Sequence, residues 1–517
     1  MDIAPMTDLP QGWTLTALGE IGDINPRHPS NLSDGMLVSF ASMPALSTDR
    51  PEFESLQERP FGEVRKGFTH FAEGDVLFAK ITPCMENGKG AVAVDLRNGL
   101  GCGTTEIHVV RPLGRIVPHY IYHYLHQPSI RRQAEANFTG SAGQARVPVS
   151  FIKDLEIPIP PLAEQQRIVA KLEVLLGKVD ACRKRLEKIP VILKRFRQSA
   201  LAAACSGRLT ADWREENPVV ESAEMLIDRI SRERRRRHDT LRCTHGTGRK
   251  KALADYDNFD PALRGDLELP DLPETWRWVD LRFLMSPEEA FCYGVVQPGE
   301  DDHGGPRLVR ICDLGGGLVR ISDLRGITAK VHGQYERSVI SGGEVLISVV
   351  GTIGRAAIAP TELKGANIAR AVAKIPIREF EARYFLLWLS TSRAETWMVG
   401  DAREVARKTL NLEQLRTLPA PLPPIPEQQE IVRRVDALFA LADQIETRYA
   451  KAKTHVDRLT QSILAKAFRG DLVPQDPNDE PASVLLERIH LQRQGAGVAR
   501  RQPRRKGVMA AGKAVIQ

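Results

Sequence analysis

Several features are scarce in this 517-residue chain, and each scarcity removes a class of function. Nowhere do about 18 apolar residues run together, the length a bilayer crossing needs, which argues against a membrane span. The first residues, from Met1 to Trp13, carry no basic leader followed by an apolar stretch, so no secretory signal is expected. The seven cysteines (Cys84, Cys102, Cys182, Cys205, Cys243, Cys292 and Cys312) are odd in number, widely spaced and never separated by two residues. That pattern fits neither a disulfide framework nor a zinc knuckle, and a cytoplasmic, reducing location suits it better. No G-x-x-x-x-G-K-[ST] phosphate loop occurs, so ATP hydrolysis is not expected in this chain. The N-P-P-[FY] and D-P-P-[YW] runs by which amino-methyltransferases resemble each other are missing too. No catalytic residue, cofactor or metal is therefore expected. Three local patterns are set aside. His119, His123 and His126 have helix-face spacing, but their counterparts 264 residues on are Arg383, Leu387 and Ser390, which marks a local polar face. Glu362-Leu363-Lys364 resembles half of a nuclease pattern, but such tripeptides are common, and Gly315-Gly316-Gly317 reads as a turn.

What is present is ample apolar and charged material, 42% and 26% of residues, enough for packed cores with solvated surfaces. The length suggests about three or four units. The net charge of +7 is unevenly spread. Arg229 to Lys251 carries a net +8 and Arg493 to Gln517 a further +7, which leaves −8 for everything else. Such runs read as solvated disordered segments or as non-specific attractors of DNA phosphates. The charge total says nothing about DNA binding by the folded parts.

The dominant signal is an internal repeat. Leu9-Pro10-Gln11-Gly12-Trp13 returns as Leu272-Pro273-Glu274-Thr275-Trp276, 263 residues later. At the same offset, Pro161-Leu162-Ala163-Glu164-Gln165-Gln166-Arg167-Ile168-Val169 returns as Pro424-Ile425-Pro426-Glu427-Gln428-Gln429-Glu430-Ile431-Val432. Gly207, Leu209 and Pro218 return as Gly470, Leu472 and Pro481. Between these anchors the match loosens: Gly74-Asp75-Val76-Leu77 resembles Gly343-Glu344-Val345-Leu346 at an offset of 269. Two halves have kept their register and two have diverged, as shared scaffolding with separate binding preferences would.

The conserved-register halves read as long helices. After Pro158-Ile159-Pro160-Pro161, an extended lead-in that blocks earlier helix growth, Ile168, Leu172, Leu175, Val179, Cys182, Leu186, Ile189, Leu193, Phe196 and Ala200 alternate at spacings of four and three. In the second copy the seam is Ile431, Val435, Leu438, Ala442, Ile445, Tyr449, Ala452, Val456, Leu459 and Ile463. A heptad seam is buried by supercoiling against a partner, and the two helices are expected to pair antiparallel. Pro190 removes a hydrogen bond inside the first helix, which predicts a kink or break near Lys188–Pro190 in that helix only; Gly207 and Gly470 are the stops. The resulting division is 1–158, 159–213 (helix), 214–271 (basic connector), 272–422, 423–473 (helix) and 474–517 (basic tail).

The diverged halves mix short strands with helical patches and read as two compact α+β modules. Val76–Ile81 and Val345–Val350 are buried strands bounded by glycine. Polar, glycine-containing loops follow them, and a second pair of loops precedes the helix lead-in. Arg, Lys, Asn, Gln and Thr in such loops can hydrogen-bond base edges or phosphates. The candidate DNA-binding residues are Lys80, Thr82, Asn87, Lys89, Gln144 and Arg146 in the first module, and Thr352, Arg355, Arg370, Arg403, Arg407 and Lys408 in the second.

With these residues in place the chain resembles the specificity subunits of type I restriction-modification systems. The resemblance spans roughly residues 9–475. Its carriers are Pro10–Trp13, Gly74–Leu77, Gly351–Arg355, the P-P-x-x-E-Q-Q-x-I-V starts at Pro160 and Pro423, and the S-I-L-x-K-A-F-x-G-x-L end at Ser462–Leu472. It implies two target-recognition domains, each reading half of a split double-stranded DNA sequence, separated by an antiparallel coiled coil in a pseudo-two-fold arrangement. It also implies two methyltransferase subunits docked on the chain and restriction subunits that translocate and cleave with ATP. S-adenosylmethionine-dependent adenine methylation would belong to the methyltransferase partner. The first copy departs from the pattern at Pro190 and in ending Ala203-Ala204-Cys205-Ser206-Gly207, and the basic connector and tail are long. Two other readings of the residues remain: a repeat-built scaffold that binds proteins without recognising DNA sequence, and an enzyme with an unfamiliar site.

Overall fold

The structure is a computed structural model that describes residues 9–140, 145–218, 220–244, 268–286, 289–378, 380–400 and 409–501. The chain divides into two compact units, Met1–Leu186 with Ala450–Gln517, and Glu187–Tyr449.

In the first unit, two four-stranded sheets lie beside a two-stranded ribbon. One sheet runs in the order Gly22–Ile24, Ile107–Pro112, Val76–Ala79, Gly90–Val92, and is antiparallel throughout. The other runs Gln57–Pro60, Leu37–Ala41, Leu100–Gly103, Thr69–Ala72, with Leu37–Ala41 and Leu100–Gly103 parallel. The ribbon pairs Thr14–Ala17 with Glu156–Ile159, where Pro158 is tolerated because each strand has a free edge. In the second unit, a six-stranded and a three-stranded sheet accompany the ribbon Arg277–Asp280 with Pro419–Leu422. The ribbons keep the repeat's register: Thr14 faces Ile159, and Arg277 faces Leu422, each 263 residues on. Both units thus mix helix and sheet.

The helix expected after the first lead-in is interrupted. It forms as Leu162–Leu186 and Ile189–Cys205, with Glu187 and Lys188 in a turn and Pro190 in the first turn of the second piece, where its missing N–H costs nothing. Its counterpart, which carries Lys453 in place of Pro190, runs unbroken from Ile425 to Arg469 over 45 residues. Of the two predicted seams, Cys182 and Ile445 are exposed and the other positions are buried or half-buried. Within the second unit Arg214 meets Glu427, Arg197 meets Asp443 and Glu446, and Pro190 shares a cavity of about 230 Å³ with Tyr449. Residue numbers rise on one side as they fall on the other, so these helices run in opposite directions.

The helix ends are exchanged between the repeats. Leu201, Ala204 and Cys205, from the end of the first repeat's helix, join the core of the second unit with Tyr384. Their counterparts Leu464, Ala467 and Phe468 join the core of the first, where Phe468 lies 5.1 Å from the rings of both Tyr120 and Tyr124.

The described parts of the two basic runs, residues 229–244 and 493–501, are helical where disordered runs are expected. Residues Ala223–Thr244 and Ala482–Arg501 are helices. Ala223, Leu226 and Ile230 are buried in the core of the second unit, and Ala482, Leu485 and Ile489 in that of the first. The pairs stand 259 residues apart, so the duplication extends into segments where charge obscured it. Arg234 donates to the carbonyls of Phe283 and Met285, and Arg493, again 259 residues later, to those of Gly19 and Gly22. An apolar residue every third or fourth position is enough to dock a helix whose other positions are Arg and Glu. Residues 245–267 and 502–517, the rest of both runs, lie outside the described residues.

The repeated E-Q-Q motif joins each long helix to the sheets beside it. Glu164 and Gln165 are buried, as are Glu427 and Gln428. Trp13 Nε1 donates to Glu164 Oε2 at 3.0 Å, and Trp276 Nε1 to Glu427 Oε2 at 2.8 Å. Gln165 accepts from Val117 N and donates to the Pro160 carbonyl; Gln428 accepts from Glu381 N and donates to the Pro423 carbonyl. The copies differ in how the carboxylate is neutralised. Glu427 Oε1 receives Thr210 and Arg214, whereas Glu164 Oε1 has no partner among the described residues, and burial pushes the Glu164 carboxyl above its usual range. Substituting Gln165→Leu strands one buried N–H and one carbonyl, at about 1–3 kcal/mol for each such group. A cost of roughly 2–6 kcal/mol in unfolding free energy is expected, measured by denaturant or thermal unfolding.

Candidate nucleic-acid interface

In the first unit the strand Val76–Ala79 delivers the chain to Lys80, which is held on both sides: its N–H bonds the Glu106 carbonyl at 3.0 Å, and its carbonyl accepts from Val147 N at 2.9 Å. Ile81 then bridges to Arg146, and Thr82 N donates to the Ala145 carbonyl at 3.2 Å. The loop after the strand and the loop before the helix lead-in, separate in sequence, are thereby brought together at one strand end. Arg146 forks onto Glu106 with bonds of 2.7 and 3.1 Å, which holds the Glu106 carboxyl below its usual range. Thr82 donates its hydroxyl to Glu86. Lys89 is tied down as well, Nζ donating to the Met43 carbonyl at 3.1 Å. Asn87 is exposed, and its amide has no partner among the described residues.

The second unit repeats the construction. Val345–Ser348 leads to Val350, which bridges to Thr409, the counterpart of Arg146 at 263 residues. Val349 N donates to the Ala371 carbonyl at 2.9 Å, so Arg370 stands by the same strand end as Thr352. The Gly351–Gly354 turn is closed by Ser348, whose hydroxyl donates to the Thr352 carbonyl and accepts from Arg355 N at 2.9 Å. Gly351 and Gly354 sit at φ +75° and +90°, a region where side chains are strained, so glycine is required at both turn positions. Thr352, Arg355 and Arg370 are exposed, and neither arginine has an ion pair among the described residues. Gln144, Arg403, Arg407 and Lys408 lie outside the described residues.

Three contributors escaped the sequence reading. Glu106 neutralises Arg146 from 40 positions away. Tyr293 accepts from Leu412 N at 3.2 Å and donates to the Leu410 carbonyl at 3.4 Å, holding the chain that leaves residues 401–408. Arg131 donates to the Glu86 carbonyl from beneath the first loop. No local signal marks any of them.

Buried histidines contribute to the acid response of the first unit. Burial lowers the pKa of His28, His70, His108, His123 and His126, the last two to about 3 and about 4. His123, one of the three helix-face histidines, points into the core, and its Nε2 has no partner among the described residues. Unfolding exposes His123 and His126 to protonation below about pH 6.5, while in the fold both stay neutral down to about pH 4, so their contribution to stability falls as pH drops from about 6.5 toward 4. One fully buried ring costs about 2 kcal/mol at pH 5. Replacing His123→Leu, the residue of the second repeat at that place, is expected to shrink the fall in melting temperature between pH 7 and pH 5; calorimetry at the two pH values measures it.

A sequence profile of the type I restriction modification DNA specificity domain matches residues 10–191 and 317–453. The EcoBI specificity subunit of Escherichia coli is 39% identical over 388 residues, spanning 73% of this chain and 72% of the relative. The EcoEI specificity subunit, also from Escherichia coli, is 28% identical over 517 residues, spanning 89% and 82%. Two solved structures share the fold at 22% identity, each covered over 90% of this chain. One is a chain of a type I R-M system solved to explain complex assembly and conformational transition, covered over 100% of its length with a TM-score of 0.60. The other is the HsdS subunit of Thermoanaerobacter tengcongensis, covered over 98% with a TM-score of 0.54. With its repeated ribbons, its repeated Glu-Gln junctions and these relatives, the chain belongs to the family of type I restriction-modification DNA specificity subunits.

Proposed function

We infer that this chain, as the DNA specificity subunit of a type I restriction-modification system, reads a split double-stranded target, with residues 1–158 and 272–422 as the two target-recognition domains. The observation that carries this reading is the loop junction built twice: Ile81 against Arg146 in one unit, and Val350 against Thr409 in the other. Each junction gathers two polar loops at a strand end, and each rests on the same Trp–Glu–Gln connection to a long helix. In the DNA-bound state Lys80, Thr82, Asn87, Lys89, Gln144 and Arg146 serve one half-site, and Thr352, Arg355, Arg370, Arg403, Arg407 and Lys408 the other. Arg146 would exchange Glu106 for a base edge or phosphate, a trade between two charge-assisted partners. The pre-existing ion pair keeps the guanidinium oriented before DNA arrives.

The paired helices of 159–213 and 423–473 then act as an antiparallel coiled-coil spacer with pseudo-two-fold symmetry. The opposite running sense within the second unit and the shared seam register support this arrangement. A helix of 45 residues is about 68 Å long, about two turns of DNA. Two methyltransferase subunits dock on the chain, and restriction subunits join through them. Methyl transfer and cleavage belong to those partners; the relatives are named as specificity subunits, and one structural neighbour comes from work on the assembled system.

The decisive experiment measures adenine modification by the chain assembled with its methyltransferase partner, followed by sequencing of modified sites. Arg146→Ala is expected to lower modification about 10- to 100-fold through the first half-site and leave base preference at the second unchanged. A seven-residue insertion in each helix is expected to widen the gap by about 10 Å, about three base pairs, with both half-sites kept. Modification without sequence preference would favour the protein-scaffold reading instead.

A further inference from the structure

Four backbone hydrogen bonds tie the loop 82–89 together. Met85 N bonds the Ile81 carbonyl, Asn87 N the Pro83 carbonyl, Gly88 N the Met85 carbonyl and Lys89 N the Cys84 carbonyl, at 2.8–3.1 Å, and Met85 is buried beneath them. Among the carbonyls that take no backbone N–H are those of Glu86 and Gly88, which lie on either side of the exposed Asn87. Buried backbone groups of this kind need partners. Both partners come from helices outside the loop. Arg131, in Pro128–Ala136, donates Nη1 to the Glu86 carbonyl at 3.0 Å. His126, at the end of Pro118–Leu125, places Nε2 at 2.8 Å from the Gly88 carbonyl.

Of the two, Arg131 is the firmer anchor. His126 also faces the Tyr122 carbonyl at 2.7 Å, and a neutral imidazole has one N–H for two acceptors. Arg131 remains charged at every working pH. It is half-buried, it has no carboxylate partner among the described residues, and its Nε is buried without a hydrogen bond. A guanidinium drawn from water is expensive unless it does something in return. Here its single bond goes to loop backbone. The guanidinium also packs flush against Gly88, which has φ +74°; a Cβ there would stand 2.5 Å from Nη1. The loop therefore has one seat on Arg131, and glycine is part of that seat.

We propose that Arg131 is a positioning residue for DNA reading: seated against Glu86 and Gly88, it fixes the direction in which the Asn87 amide leaves the loop, and so selects a base of the first half-site through Asn87. This rests on the reading that loop 82–89 meets DNA. Asparagine offers one acceptor and one donor edge, the pattern that matches adenine in the major groove. That bidentate fit tolerates little rotation of the side chain, so a loop released from its seat keeps affinity for DNA while losing choice.

The test uses the full chain assembled with its methyltransferase partner, and rates of modification on the cognate duplex and on duplexes with single-base changes in either half-site. Asn87→Ala is expected to reduce discrimination at one position of the first half-site by about 10-fold. Arg131→Met is expected to reduce discrimination at that same position by about 3- to 10-fold, with discrimination across the second half-site unchanged. Arg131→Lys, which keeps a charged donor, recovers part of it. Gly88→Ala, which unseats the guanidinium without removing it, reproduces the Arg131→Met pattern. If Arg131→Met does not assemble, Arg131→Lys and Gly88→Ala carry the test by the same readout. Unchanged discrimination in Asn87→Ala shows that the loop does not read bases there, and both the reading and the inference fall. An effect in Asn87→Ala with none in the Arg131 and Gly88 variants overturns the inference alone. A uniform loss on all duplexes in those variants, with discrimination intact, also overturns it, because a structural role predicts that result.

Discussion

A carboxylate and a carboxamide, adjacent in sequence and both removed from water, hold each half of this protein in order. Glu164 and Gln165 stand at the start of one long helix, Glu427 and Gln428 at the start of the other. The carboxylate takes the indole N–H of a tryptophan 151 positions away, and the carboxamide bridges the start of a second helix and the end of the ribbon. These bonds fix the direction of the long helix relative to the sheets, because each group satisfies backbone or ring atoms that have no other partner among the described residues. An error of a few degrees at the root of a helix about 68 Å long becomes several ångströms at its tip.

The exchange of helix ends follows from the same arrangement. Leu201, Ala204 and Cys205 belong by sequence to the first repeat but are core residues of the second unit, and Leu464, Ala467 and Phe468 are core residues of the first. The helices Ala223–Thr244 and Ala482–Arg501 extend the exchange, each docking on the ribbon side of its unit and passing an arginine to two backbone carbonyls. The two halves of the chain therefore do not correspond to the two units. Each unit combines the α+β module of one repeat with the helix end of the other.

Much of this was legible in the residues. The common offset of 263 positions located the helix lead-ins, the helix starts and the glycine stops, because those parts share one geometry and tolerate no insertion. Pro190 located the helix break to within a few residues, since its missing N–H is a local property. The basic helices were misread because net charge dominated a segment whose apolar residues are few and correctly spaced. At the loops, position was readable and state was not. Glycine and polar residues after a buried strand mark a loop, but only coordinates show Lys89 bound to the Met43 carbonyl and Arg146 bound to Glu106. Those partners lie 46 and 40 positions away and leave no periodic trace.

The division of the units also orders events on the ribosome. The second unit is one continuous stretch, Glu187–Tyr449, and has all its residues once that stretch has emerged. The first unit starts earlier but its core includes Leu464, Phe468, Leu485 and Ile489. Domains fold as they are synthesised when their residues are at hand. The half translated first is thus the half that closes last, and until then Tyr120, Tyr124 and Leu18 wait without the side chains that cover them.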